Sequence, residues 1–251
     1  MSAHASRAAH VARVEFERLL ETDAPALRAT LPPGFADASE AYVALLLEAN
    51  ARTNLTRIVE PLDVARLHLL DALSALPLLD GLAPSLAIDL GSGGGVPGIV
   101  LAMARPRVAW TLVDSVRRKA DAMRRFVDAL GLENVAVVAE RAETLGRDPA
   151  HRERYDLLTA RACAALPVLA ELALPLIRLG GALMGWKGSM TDEELRSGHA
   201  AATLLGGAAP EVHPTGLPAL DEHRFVLVRK VGSTPDRYPR RPGEPGRRPL
   251  G

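Results

Sequence analysis

Residues 87–98 read AIDLGSGGGVPG, an apolar run closing on an acid and then five glycines in eight residues from Gly91 to Gly98. Directly behind them comes the apolar run Ile99-Val-Leu-Ala-Met103. A β-rich segment, a glycine turn and a helical run in that order predict a strand, a tight turn and a helix start. Glycines in such a turn permit positive φ and remove Cβ atoms from the path of a ligand lying on the backbone. In an open parallel sheet, ligands bind at that place, outside the carboxyl ends of the strands.

The sequence after Gly81 repeats this grammar. Short β-rich runs at 86–90, 108–113, 135–138, 155–159 and 182–186 alternate with helical stretches at 98–104, 116–130, 166–177 and 192–205. Alternation of this kind predicts an α/β protein with a Rossmann-like, doubly wound, mostly parallel sheet joined by right-handed crossovers. Two more strands are expected at 211–213 and 224–229. Before Gly81 the spacing is helical: Val11, Val14, Phe16 and Leu19, then Tyr42, Leu45, Leu46 and Ala49, then Val64, Leu67, Leu70 and Leu73. The expected organisation is an N-terminal helical cap at 1–80, a main domain at 81–231 and a basic Pro/Arg-rich tail at 232–251. The tail has no apolar periodicity and is expected to be extended or flexible unless docked.

Composition narrows the function classes. Thirty basic and thirty acidic residues balance to zero, which argues against a protein that grips nucleic acid over its whole surface and makes any such binding local. The single cysteine, Cys163, excludes an internal disulfide, and seven scattered histidines at no ligand spacing predict no metal. No window approaches a membrane span, and residues 1–7 lack the apolar core of a secretory signal, so a cytoplasmic protein without membrane partners is expected, as a monomer.

Two ligand classes fit the glycine turn. Gly93 to Gly98 matches the dinucleotide pattern G-x-G-x-x-G, while Asp89 to Gly95 matches acid-x-G-x-G-x-G, the form associated with S-adenosylmethionine. Asp89 favours the second, because a carboxylate beside the helix start repels a pyrophosphate, whereas S-adenosylmethionine brings an ammonium and a sulfonium. Asp114, ending the next strand 23 residues after Gly91, is placed to accept hydrogen bonds from ribose hydroxyls of either cofactor. No Gly-Lys-Ser/Thr follows, which excludes a P-loop. The competing readings are an NAD(P)-dependent oxidoreductase and a non-catalytic RNA-binding assembly factor.

With these residues placed, the chain resembles the glucose-inhibited division protein B (GidB) family of bacterial guanine-N7 methyltransferases acting on 16S ribosomal RNA. The landmarks are Asn54-Leu-Thr56, His68 with Asp71, the 89–98 loop, Leu112-Val-Asp-Ser115, Arg118-Lys119, Arg141-Ala-Glu143, Arg161-Ala162, Trp186-Lys-Gly188 and Thr234-Pro-Asp-Arg-Tyr-Pro-Arg-Arg241. The resemblance implies a class I S-adenosylmethionine-dependent methyltransferase whose partner is 16S ribosomal RNA or the small ribosomal subunit. Cofactor-binding residues are then expected at Asp89, Gly91, Gly93, Gly95, Val96, Asp114, Ala142, Glu143 and Arg161. Two positions depart from the family: Cys163 replaces an aromatic common after Arg-Ala, and Ala122 replaces a phenylalanine.

Guanine N7 carries an unprotonated lone pair, so transfer to it needs alignment more than proton removal. No catalytic base stands out, and Arg161, Lys187 and His68 are the residues considered for a catalytic role. His68 reads equally well as a base-edge contact or as a histidine on a helix surface, with Asp71 three residues on to orient it. Cys163 reads as a buried inert thiol. RNA contacts are expected from Arg118 and Lys119 on a helix that also carries Arg117, Arg124 and Arg125, from Lys187, and from Arg237, Arg240 and Arg241 of the tail.

Overall fold

The protein, described over residues 2–251 by a computed structural model, is built on one seven-stranded sheet. Its strands are β1 (Leu86–Leu90), β2 (Ala109–Val113), β3 (Val135–Val138), β4 (Tyr155–Arg161), β5 (Ile177–Lys187), β6 (Glu211–Pro214) and β7 (Arg224–Arg229), in the order β3-β2-β1-β4-β5-β7-β6. The first five run parallel, and β7 is antiparallel to both β5 and β6. Order reverses between β1 and β4, which opens a crevice at the carboxyl ends of those two strands.

Successive side chains of a strand point to opposite faces, and the core divides accordingly. Ala87, Leu112, Leu157 and Met184 pack under the N-terminal helices, while Ile88, Val113, Leu158 and Leu183 pack under the Leu166–Ala173 and Asp192–Leu204 helices. The helix expected at 166–177 stops at Ala173 because residues from Ile177 on enter β5, which is longer than the apolar run suggested.

The first helix, Ala3–Thr22, buries Ala5, Ala9, Ala12, Phe16 and Leu19, whereas Val11 and Val14 are exposed. The sequence spacing placed Phe16 and Leu19 on the buried face but took Val11 and Val14 for it in place of Ala5, Ala9 and Ala12, because alanines are weak hydrophobic markers although small residues let this helix lie close against the Phe35–Thr53 helix. A second departure lies at Ala65–Leu70, which is π-helical: the Asp71 N–H reaches the Arg66 carbonyl five residues back. The wider turn buries Val64, Ala65, His68, Leu69 and Leu70 and leaves Leu67 only half-buried.

The tail docks. Arg152 donates to the carbonyls of Tyr238 (2.8 Å) and Thr234 (2.8 Å). Buried Lys230 donates to the carbonyls of Leu174 and Leu205 and to the Thr234 hydroxyl. Arg240 clamps the fully buried Glu171 through its guanidinium and its own N–H. Charge-assisted hydrogen bonds hold a segment that has no apolar pattern to show. Among the described residues no helix is long and apolar enough to cross a membrane.

Candidate functional site

The glycine loop is held from below by carboxylates. Asp89 is fully buried; it accepts from the Gly98 N–H (3.2 Å) and the Thr159 hydroxyl (2.7 Å), its neighbour across β4. Burial pushes its carboxyl up to about 6, opposed by those bonds and by Ser92. Asp89 therefore braces the loop and presents nothing to a ligand, unlike the direct contact expected from the sequence. Asp114 accepts from the Gly93 N–H (3.0 Å) and the Val116 N–H (2.8 Å) with one bond to each oxygen, leaving acceptor capacity toward the crevice.

The glycines serve two purposes. Gly91 and Gly93 adopt φ of +68° and +58°, the left-handed region, and line the crevice. At Gly98 a Cβ would lie 2.3 Å from Leu112 Cδ2 and 2.9 Å from Asp89 Oδ2, so this glycine is demanded by the protein's own packing. Tyr42 adds a brace invisible in the sequence, its buried hydroxyl donating to the Gly94 carbonyl at 2.8 Å. Burial raises the Tyr42 hydroxyl far above its ordinary value, which keeps this donor protonated.

Three cavities meet above the loop. One of about 390 Å³ is lined by Gly91, Asp114, Lys119, Ala142, Glu143 and Leu172, among others. One of about 200 Å³ lies over Gly91 to Gly94 and Val96. The largest, about 730 Å³, lies between the N-terminal helices and the ends of β4 and β5, and includes Asp71, Trp186, Lys187 and His223. Thr56, His68, Arg161 and Ala162 are shared by the last two and form the boundary between them.

The wall of the large cavity is one connected network. Arg161 donates to Asp71 Oδ2 (3.1 Å), to the Leu67 carbonyl and to His68 Nδ1 (3.1 Å). His223 Nδ1 donates to the other oxygen of Asp71 at 2.7 Å. His68 Nε2 lies 3.0 Å from Thr56 Oγ1. Burial first, and then the Arg161 charge, hold His68 down to about 4, while the hydrogen bond to Asp71 raises His223. His68 is thus buried and neutral rather than on a helix surface, and Asp71 orients Arg161 and His223 rather than His68. Sequence reasoning missed His223 and Tyr42; a lone histidine before an interior antiparallel strand and a tyrosine at helical spacing carry no signal of their partners.

The remaining expected residues divide. Lys187 is tied to Glu194 (2.7 Å) and the Ala164 carbonyl (2.8 Å), bracing the rim. Lys119 lines both smaller cavities, whereas Arg118 is exposed. Arg124 of the same helix is paired with Asp121. Arg240 is consumed by Glu171, so it is not the free RNA contact expected of it; Arg237 and Arg241 are exposed. Glu143 is buried and accepts from the Gly243 N–H of the tail at 2.8 Å, which joins the tail to the wall of the 390 Å³ cavity. Cys163 faces the crevice instead of lying buried, but desolvation by the surrounding walls, with Asp89 and Asp114 beyond, pushes its thiol up and keeps it protonated.

Comparisons with known proteins agree with this geometry. Residues 36–220 match the GidB family, described as rRNA small subunit methyltransferase G. The ribosomal RNA small subunit methyltransferase G of Deinococcus deserti is 48% identical over 217 residues, 85% of this chain and 88% of that one. Its namesake from Symbiobacterium thermophilum is 41% identical over 241 residues, 94% and 98% of the two chains. Among solved structures, human N-acetylserotonin methyltransferase in complex with SAM superimposes with a TM-score of 0.51 at 13% identity, over 79% of this chain and 58% of that one. At that identity the likeness concerns the fold alone, the class I S-adenosylmethionine-dependent methyltransferase fold.

Proposed function

The chain belongs to the GidB family of small-subunit rRNA methyltransferases, and from that premise we propose that it transfers the methyl group of S-adenosylmethionine to N7 of a guanosine in 16S ribosomal RNA. The observation that carries this reading is the junction of a cofactor-sized crevice with a second, larger cavity at the ends of β1 and β4. The residues present fit the cofactor: Asp114 has free acceptor capacity for ribose hydroxyls, Ala142 and Leu172 offer apolar surface to an adenine, and the Gly91–Gly94 backbone leaves room for the methionine end. Glu143 and Val96 complete these walls. When bound, S-adenosylmethionine supplies an electrophilic methyl on its sulfonium.

The residues of the chain then orient and exclude water. Arg161, pinned by Asp71 and the Leu67 carbonyl, fixes the boundary between donor and acceptor sides. No side chain has to remove a proton, because N7 attacks as a free lone pair, and the network accordingly holds neutral His68 and charged Arg161 as positioning groups. Exposed Arg118, Arg237 and Arg241 provide local phosphate contacts outside the crevice. Lys119, on the crevice wall, is assigned to the cofactor side. A nicotinamide cofactor fits poorly, since the Gly93 and Gly98 amides that a pyrophosphate would use already bond Asp114 and Asp89.

The test is single-turnover transfer of labelled methyl to small-subunit RNA, naked and within the subunit, followed by nucleoside analysis. Label in 7-methylguanosine is expected. Label in any other nucleoside, or none with the cofactor bound, would remove the N7 assignment.

A further inference from the structure

The Asn54-Leu-Thr56 motif has so far no task, and its geometry supplies one. Asn54 ends the Phe35–Thr53 helix in the left-handed conformation, with φ 51° and ψ 60°. Asn50 Oδ1 then accepts both the Leu55 N–H (2.7 Å) and the Thr56 N–H (2.9 Å), which fixes the turn. Thr56 is thereby delivered, half-buried, to the boundary shared by the cavity over the glycine loop and the larger one beside it.

Hydrogen accounting sets what its hydroxyl does there. A guanidinium only donates, so His68 Nδ1, 3.1 Å from Arg161, must be the acceptor nitrogen. His68 is neutral, and its one ring proton therefore sits on Nε2, from which it is donated to Thr56 Oγ1 at 3.0 Å. The Ile58 N–H donates to the same oxygen, also at 3.0 Å. Both lone pairs of the hydroxyl are then engaged, and among the described residues no acceptor receives its proton. A group that ordinarily donates or accepts has become a donor only, at the place where the methyl must cross.

We infer that Thr56 reads the acceptor base, donating to O6 of guanine beside the reacting N7, and that the Arg161–His68–Thr56 chain makes this donor refuse adenine. Guanine presents N7 and O6 as adjacent acceptors, whereas adenine presents N7 beside an N6 amino donor. Two donors facing each other in a desolvated site leave both unpaired, and that opposition is the discrimination. The inference rests on the guanine-N7 reading above and adds the residue that enforces it.

The experiment compares small-subunit RNA carrying guanosine or 2-aminopurine riboside at the methylated position, the latter keeping N7 and lacking O6. Wild type, Thr56→Val and Thr56→Ser are measured for kcat/KM in single turnover and, by calorimetry, for S-adenosylmethionine affinity. Wild type is expected to lose about tenfold on 2-aminopurine RNA. Thr56→Val should lose as much on guanosine RNA and nothing further on 2-aminopurine RNA, Thr56→Ser should keep the wild-type difference, and cofactor affinity should not change. Equal losses on both RNAs for Thr56→Val would overturn the contact, because a residue that merely supports His68 is blind to O6. Weakened cofactor binding would overturn it too, by turning the hydroxyl toward the methionine carboxylate. Failure of the N7 reading itself would show earlier and separately, as wild-type product that is not 7-methylguanosine.

Discussion

The two halves of the crevice are built in opposite ways. The cofactor side is built around one contiguous loop, 89–98, in which the backbone faces the ligand and Asp89 works underneath, while Asp114 both accepts from the Gly93 N–H and keeps acceptor capacity toward the crevice. The acceptor side has no contiguous motif: Thr56, His68, Asp71, Arg161 and His223 come from four segments, and their side chains form the surface. A backbone-built half should tolerate changes that leave the loop path alone and fail when that path shifts. A side-chain-built half should fail when any one member is removed.

Arg161→Ala tests the second statement and carries the largest expected effect. Asp71 is only 2% exposed, and loss of its guanidinium partner leaves a buried carboxylate with His223 alone. The unfolding free energy should fall by about 3 kcal/mol in urea titration. Methyl transfer should fall about a hundredfold, since the boundary between the two cavities loses its fixed geometry. A variant of normal stability would show that the wall is not held by this ion pair, and the contrast between the halves would collapse.

Gly95→Ala tests the first statement with a smaller effect. Gly95 has φ of +96°, and a Cβ there would lie 2.4 Å from Ile99 Cδ1. The loop must shift, at roughly 2 kcal/mol. Cofactor affinity measured by calorimetry should fall while RNA affinity is retained, because the acceptor wall shares no backbone with the loop. Equal loss of both would mean that the halves are mechanically one unit.

The same contrast explains what could be read from the sequence. The glycine loop and β1 to β4 were legible because their determinants are local: a strand run, glycines where the backbone turns left-handed or packs closely, an acid at a fixed offset. The acceptor wall was legible only as isolated landmarks. His68 and Arg161 stood out, but nothing within 93 residues of sequence links them, and the π-helical turn that buries His68 shifts the pattern off the 3.6-residue period. His223 enters from the approach to β7, which lies between β5 and β6. The tail was visible but its docking was not, because that docking rests on Arg152, Lys230 and Glu171, and a Pro/Arg-rich composition looks the same whether its arginines pair with protein or with solvent.

The most gradual effect, and the finest test of the contrast, is in pH. Asp89 is an acid raised from 3.8 to about 6, so between those values the folded protein binds more protons than the unfolded chain, and this contribution to stability declines as pH rises. His68 is a base lowered from 6.5 to about 4, so in its window the unfolded chain binds more protons, and stability grows as pH rises. The cofactor side and the acceptor side therefore contribute opposite slopes of roughly 1 kcal/mol per pH unit over the same interval, and in the wild type they nearly cancel. Relative to wild type, Asp89→Asn should gain stability from pH 4 to pH 6 and His68→Gln should lose it, read from urea midpoints at each pH. Slopes of the same sign in the two variants would show that the buried charges of the crevice titrate as one coupled group, and that the division into two independently built halves ends at the Arg161 boundary.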